Sequence, residues 1–197
     1  MHVVLASGNA GKLAEFQSLF TDTPLKLTNL SSAAPDFEMP AETGTTFIEN
    51  ALIKAHAVAQ ATGCAALADD SGLVVPALNG APGIYSARYA GRHGDDAANN
   101  RKLIEALAGK SLRKAYFYCA IVLLRNSQDP TPIIATAAWH GEILDTPRGE
   151  QGFGYDPLFW LADLNMTSAE LPRDLKNRLS HRGQATAALL QEIRASL

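Results

Sequence analysis

Two adjacent carboxylates, Asp69 and Asp70, run directly into Ser71 and Gly72 and lie between the apolar runs Ala65 to Ala68 and Leu73 to Leu78. A carboxylate so placed can orient or deprotonate a water molecule. It can also bind a hard cation, since Mg²⁺ commonly takes one or two carboxylates together with substrate phosphates and water. Successive side chains of an extended chain face opposite ways, so one of the pair is expected to enter a site while the other caps or braces. The plain alternative is a polar or Asx turn, because Asp, Ser and Gly are all turn formers. Glu42, in the segment AETG, offers a further carboxylate for a cation. Asn50 and Lys54 follow at i, i+4, on one side of an expected helix, where a solvated face accounts for them equally well.

Three other segments have chemical potential. Ser7, Gly8, Asn9, Ala10, Gly11 and Lys12 form a glycine turn between an expected strand and an expected helix, where free N–H groups and the helix dipole favour an anion. The spacing is not that of a Walker A loop, and an ordinary glycine turn with a solvated lysine is the alternative. Gln151 to Pro157 presents Phe153, Gly154, Tyr155 and Asp156, a loop that can stack on a base or simply bury its aromatic pair in the core. Lys176 precedes SHRGQA, in which His181 and Arg182 occupy the first turn of the last expected helix. Cations there oppose the helix dipole, which suggests a bound acceptor such as a base carbonyl or a phosphate; stray surface charge is the alternative.

The elements that must position these groups follow from periodicity. Val3 to Leu5 reads as a buried strand, and Leu13, Phe16, Leu19 and Phe20 have helical spacing. Thr46 and Glu49 have capping-box spacing ahead of a helix that Gly63 ends. The run Ala65 to Ala68 is expected to stop at Asp69, leaving both carboxylates at a strand end, with a second strand-like run over Leu73 to Leu78. A helix through Asn100 to Leu107, strands over Ala115 to Leu124, Ile133 to Leu144 and Leu158 to Leu161, and a last helix capped by Ser180 complete the pattern. Strands and helices mix without strict alternation, which favours an α/β fold with a mixed sheet.

Composition narrows the classes of function. The chain has 197 residues, 47% apolar and 19% charged, enough for one core and unlike a disordered sequence. A net charge of −3 excludes a basic nucleic-acid saddle, and no run reaches the roughly 18 apolar residues of a membrane span. A cytoplasmic protein with neither nucleic acid nor membrane as partner is expected, with Cys64 and Cys119 as unpaired thiols. No domain boundary stands out, so residues 1–197 are expected to form one domain.

Together these segments resemble the inosine triphosphate pyrophosphatase family, the non-canonical purine nucleoside triphosphate pyrophosphatases. The family pattern is met at Ser7 to Lys12, Glu42 to Ala55, Ala68 to Val75, Gly80 to Gly91, Gly152 to Phe159 and Ser180 to Ala185. The resemblance implies an elongated two-lobed α/β fold with a long central mixed β-sheet flanked by helices, a nucleotide cleft between the lobes, and a homodimer. It also implies cleavage of ITP, dITP and XTP to the monophosphate and pyrophosphate with Mg²⁺. On the matching positions, Ser7 to Lys12 would hold the triphosphate, Asp70 would be general base and metal ligand, Glu42 a metal partner, and Ser71 a substrate contact. Phe153 to Asp156, Lys176, His181 and Arg182 would form the base and phosphate pocket. Two rivals stay open: a broad pyrophosphatase of other modified nucleotides, and a silent purine-nucleotide sensor.

Overall fold

The computed structural model describes residues 1–8, 10–21, 23 and 25–195, and of Ala10 and Gly11 only the helical backbone. The elements in chain order are β1 (His2–Leu5), α1 (Ala10–Leu19), β2 (Lys26–Asn29), α2 (Leu30–Ala33), α3 (Phe47–Thr62), β3 (Ala65–Val74), α4 (Asp96–Ala106), β4 (Lys114–Leu124), β5 (Ile133–Ile143), β6 (Phe159–Leu161), β7 (Met166–Thr167), α5 (Arg173–Leu179) and α6 (His181–Ala195). The seven strands form one sheet in the order β2-β1-β3-β4-β5-β6-β7. It is mixed, as expected: β1 runs parallel to β2 and β3, while β6 is antiparallel to β5 and β7.

The chain divides into two compact units. The first comprises residues 1–70, 119–137 and 183–197, and the second 71–118 and 138–182. Strand parity organises the first unit. Val3, Leu5, Leu67, Cys119, Ile121 and Leu123 share a cluster with Phe16, Phe20, Ala185, Leu189 and Ile193, so α1 and α6 cover one sheet face. Val4, Ala66, Ala68, Val122 and Leu124 cluster with Ala51, Ala55, Val58 and Ala59 of α3 on the other. Burial on both faces is why these strands read as unbroken apolar runs. Within the second unit, Leu73, Phe117, Trp139, Tyr155 and Phe159 share a separate core with Leu103 and Leu107 beside α4.

Helix α3 begins as its sequence dictates: the Thr46 side chain accepts from the Glu49 N–H, the Glu49 carboxylate accepts in return from the Thr46 N–H, and Gly63 ends the helix in the left-handed region. Both cysteines are free, Cys64 exposed and Cys119 buried. Among the described residues, no helix is long and apolar enough to cross a membrane.

Two expectations fail. The chain does not leave the sheet at Asp69; β3 runs unbroken through Asp69, Asp70, Ser71 and Gly72 to Val74. The carboxylates therefore sit in mid-strand, where lysines on the covering helices neutralise them. The expected second strand shrinks for a different reason, because Pro76 opens a 3₁₀ turn, Pro76–Leu78. Strand β2 and helix α5 carried too little periodicity to be expected at all.

Gly72 lets this strand pass the following loop. A Cβ there would stand 2.5 Å from the Gly83 carbonyl oxygen and would overlap the Ser86 Oγ, which accepts a hydrogen bond from the Leu73 N–H at 2.9 Å. Gly72→Ala should cost about 1 to 3 kcal/mol of stability, the usual penalty of overpacking, read as a lower urea midpoint at unchanged slope. A midpoint equal to wild type would show that the loop yields freely.

Candidate active site

The parity of β3 sends its two carboxylates to different helices. Asp69 shares the face covered by α1, and its Oδ2 lies 2.9 Å from Lys12 Nζ. Asp70 shares the face covered by α3, where Asn50 Nδ2 donates to its Oδ2 at 3.1 Å and Lys54 Nζ lies 3.5 Å from its Oδ1. Asn50 and Lys54 are only 0% and 7% exposed, so the solvated-face alternative falls. They are the site residues that sequence reasoning noticed but did not promote, and the i, i+4 spacing was the available signal.

The segment before α3 completes this arrangement. Glu42 Oε1 accepts from Lys54 Nζ at 2.6 Å. The Gly44 N–H donates to Asn50 Oδ1 at 2.8 Å, a close approach in which a Cβ on residue 44 would stand 2.6 Å from the Glu49 Cβ. Each of these residues thus has an identifiable partner. Asn50 and Lys54 hold Asp70, Gly44 orients Asn50, Glu42 pairs with Lys54, and Thr46 and Glu49 fix the helix start.

Burial dominates the ionisation of Asp70 and pushes its carboxyl above the ordinary value, although Lys54 and Lys12 pull it down. For Lys54, burial opposes the charge, but Asp70, Asp69 and Glu42 together outweigh it and raise the ammonium's pKa. The result is a firmly charged lysine beside a carboxylate of enhanced basicity. Ser7 and Gly8 precede the N-terminus of α1, a helix with no acidic residue in its first turn, and Asn9 lies outside the described residues.

The second unit gathers the other expected residues. Asp156 is buried and holds the glycine-rich loop: its Oδ2 accepts from the Phe153 N–H at 2.8 Å and from Lys176 Nζ at 2.6 Å, and its Oδ1 accepts from Ser168 Oγ at 2.6 Å. Phe153 is half-buried, with Lys176 Nζ 5.3 Å and the Arg182 guanidinium carbon 6.0 Å from its ring centroid. Arg182 is 2% exposed and donates through Nη2 to Ser71 Oγ at 2.9 Å. The His181 ring stacks on Phe117 with centroids 4.9 Å apart and an interplanar angle of 12°. Neither side chain is a stray surface group.

Of the aromatic pair, Phe153 alone keeps an accessible face. Tyr155 belongs to the core, its hydroxyl donating to the Ser86 carbonyl at 2.9 Å, and burial pushes its phenol well above the ordinary range. Both oxygens of Asp156 already accept hydrogen bonds within this unit, one of them from the loop itself.

The Ham1 family pattern matches residues 3–192. The chain belongs to the Ham1 family. A dITP/XTP pyrophosphatase of Nitrosomonas europaea is 53% identical over 189 residues, covering 96% of this chain and 92% of that protein. A dITP/XTP pyrophosphatase of Halorhodospira halophila is 50% identical over 199 residues, covering 100% of this chain and 99% of that protein. The structure of a HAM1 protein from Coxiella burnetii superposes with a TM-score of 0.91 at 47% identity, covering 99% of each chain. Membership in the Ham1 family agrees with the resemblance carried by the motifs.

The buried carboxylate of this Ham1 chain has a measurable consequence. Because its pKa is higher folded than unfolded, Asp70 stabilises only while protonated: that contribution is intact below the ordinary carboxylate value and is lost as pH rises through the raised one. In metal-free buffer at neutral pH, Asp70→Asn should therefore melt above wild type, and the gap should close as the pH falls towards about 4. A variant less stable than wild type at neutral pH would show that the ion pair with Lys54 outweighs burial.

Proposed function

We propose that the chain hydrolyses deaminated purine nucleoside triphosphates, ITP, dITP and XTP, to the monophosphate and pyrophosphate, and so cleanses the nucleotide pool. The observation that carries this reading is Asp70, a buried carboxylate of raised pKa oriented by Asn50 and flanked by Lys54. The names of relatives about half identical over nearly the whole chain support the substrate class. The reading includes a homodimer, as the motif resemblance implies, and, from charge and composition, a cytoplasmic protein without a nucleic-acid or membrane partner.

Phosphoanhydride hydrolysis needs a water deprotonated in line with the broken bond and positive charge on the phosphate oxygens. Asp70 is the proposed proton acceptor, since burial makes it a stronger base than a solvated carboxylate. Lys12 and the N–H groups at the start of α1 would meet the phosphates. The donor set also suits a hard cation: Glu42 and Asp70 both direct oxygens towards the single positive charge of Lys54, at 2.6 and 3.5 Å. Mg²⁺ held by Glu42 and Asp70 would supply further charge neutralisation at the phosphates.

For the base, Phe153 offers a stacking face and Arg182 a charged donor. A 6-oxo group accepts from that donor, whereas the 6-amino group of adenine would leave it unsatisfied, which accounts for discrimination against ATP.

Pyrophosphate release from ITP, dITP, XTP, GTP, ATP and dUTP, with and without Mg²⁺, tests the reading: the first three with Mg²⁺ should far exceed the rest. Turnover of dUTP or ATP at comparable rates would point to a broad pyrophosphatase, and binding without turnover to a sensor. Asp70→Asn should lower kcat by about 10²- to 10⁴-fold, the worth of a positioned base, and turnover within a few-fold of wild type would remove Asp70 from that role. Arg182→Ala should lower kcat/KM for ITP by about 10- to 150-fold and for ATP far less. An unchanged ITP to ATP ratio would leave base selection to main-chain groups.

A further inference from the structure

The loop that carries Phe153 is gripped by a helix with no part in the proposed reaction. Asp96 Oδ2 accepts a hydrogen bond from the Gly154 N–H at 2.7 Å, and Asn100 Nδ2 donates to the Gly154 carbonyl at 2.9 Å. Four residues apart, the two side chains lie on one side of α4. Gly154 has a φ of +63°, and because glycine has weak torsional preferences of its own, the shape of this loop has to be imposed by its partners. The N–H groups that bracket the Phe153 side chain, its own and that of Gly154, each end on a carboxylate, Asp156 and Asp96.

Asn100 shows a further sign of a role outside folding. Its Oδ1 is buried without a hydrogen-bond partner among the described residues. A buried amide oxygen left unsatisfied is unfavourable, so this side chain is explained by what its Nδ2 holds and not by its contribution to stability.

We propose that Asp96 and Asn100 are positioning residues for base recognition: by fixing both polar groups of Gly154, they hold the Phe153 ring in place beside Lys176 and Arg182. The inference rests on the reading of Phe153 as the platform for the base.

Steady-state kinetics with dITP test it, alongside inhibition by inorganic tripolyphosphate, which carries the phosphate chain without a base. Asn100→Asp, which turns a carboxylate oxygen towards the Gly154 carbonyl, and Asp96→Ala should each raise KM for dITP about 5- to 30-fold, the worth of one such hydrogen bond. Neither should change inhibition by tripolyphosphate. Asp96→Asn, which keeps an acceptor oxygen, should bring KM back near wild type. Asn100→Ala removes the donor together with the unsatisfied oxygen, so it should raise KM while melting no lower than wild type. Phe153→Ala serves as the reference. If it raises KM while the Asp96 and Asn100 variants do not, the positioning role is wrong and the platform stands. If Phe153→Ala leaves KM unchanged, the platform itself is wrong. Parallel loss of dITP and tripolyphosphate affinity would mean that α4 merely supports the fold, and the proposal would fall.

Discussion

The ammonium of Lys54 is the constraint around which the first unit is arranged. A charge on a 7%-exposed side chain is tolerable only with compensating partners, and here Glu42 and Asp70 supply them directly while Asp69 adds to the field. The same ammonium makes it possible to keep the Asp70 carboxylate in the middle of a buried strand. Without Lys54 the Asp70 carboxylate would lose the cation at 3.5 Å, whereas the ammonium without Asp70 would still have Glu42 at 2.6 Å. The capping box at Thr46 and Glu49 follows from this, because Asn50 and Lys54 can meet Asp70 only if α3 starts at a fixed residue. The interaction is poor in net stability and rich in orientation, a balance common to groups kept for chemistry.

The second unit solves a different problem with similar means. Its loop is glycine-rich and so carries little shape of its own, yet the Phe153 ring within it sits half-buried near Lys176 and Arg182. Asp156, buried and bonded to a backbone N–H, a hydroxyl and an ammonium, does from inside the loop what Asp96 and Asn100 do from α4. Tyr155 ties the same loop to the core through the Ser86 carbonyl, and Ser86 in turn meets the Leu73 N–H of β3. The long motif from Gly80 to Gly91 thereby gains a physical role: it supports the loop and the strand on either side of it.

Much of this was legible in the sequence. Apolar runs in β1, β4 and β5 report strands buried on one or both faces, and the 3.6-residue spacing along α1, α3 and α6 reports the helices that cover them. The alternation of β3 even predicts that Asp69 and Asp70 part company. What the sequence hid was compensation. Two adjacent aspartates look like a strand end until Lys12 and Lys54, 57 and 16 residues upstream of Asp69 and Asp70 respectively, are known to neutralise them. Asn50 and Lys54 read equally well as a solvated face for the same reason, and Tyr155 as a stacking or a core residue until its hydroxyl finds the Ser86 carbonyl. Long-range pairing of polar groups leaves no periodic trace, so the errors fall on buried polar residues and not on the apolar framework.

The parity of β3 also bears on how this segment can change over evolutionary time. Side chains of a strand alternate with a period of two, so inserting or deleting one residue between Ala65 and Asp69 without a compensating bulge would exchange the two carboxylates between α1 and α3. Asp69 would then meet Asn50 and Lys54, and Asp70 would meet Lys12, while every apolar neighbour turned to the wrong layer. Point substitutions within the apolar positions can be absorbed by repacking, but a change in length cannot. This stretch is free to drift in spelling and fixed in its count of letters.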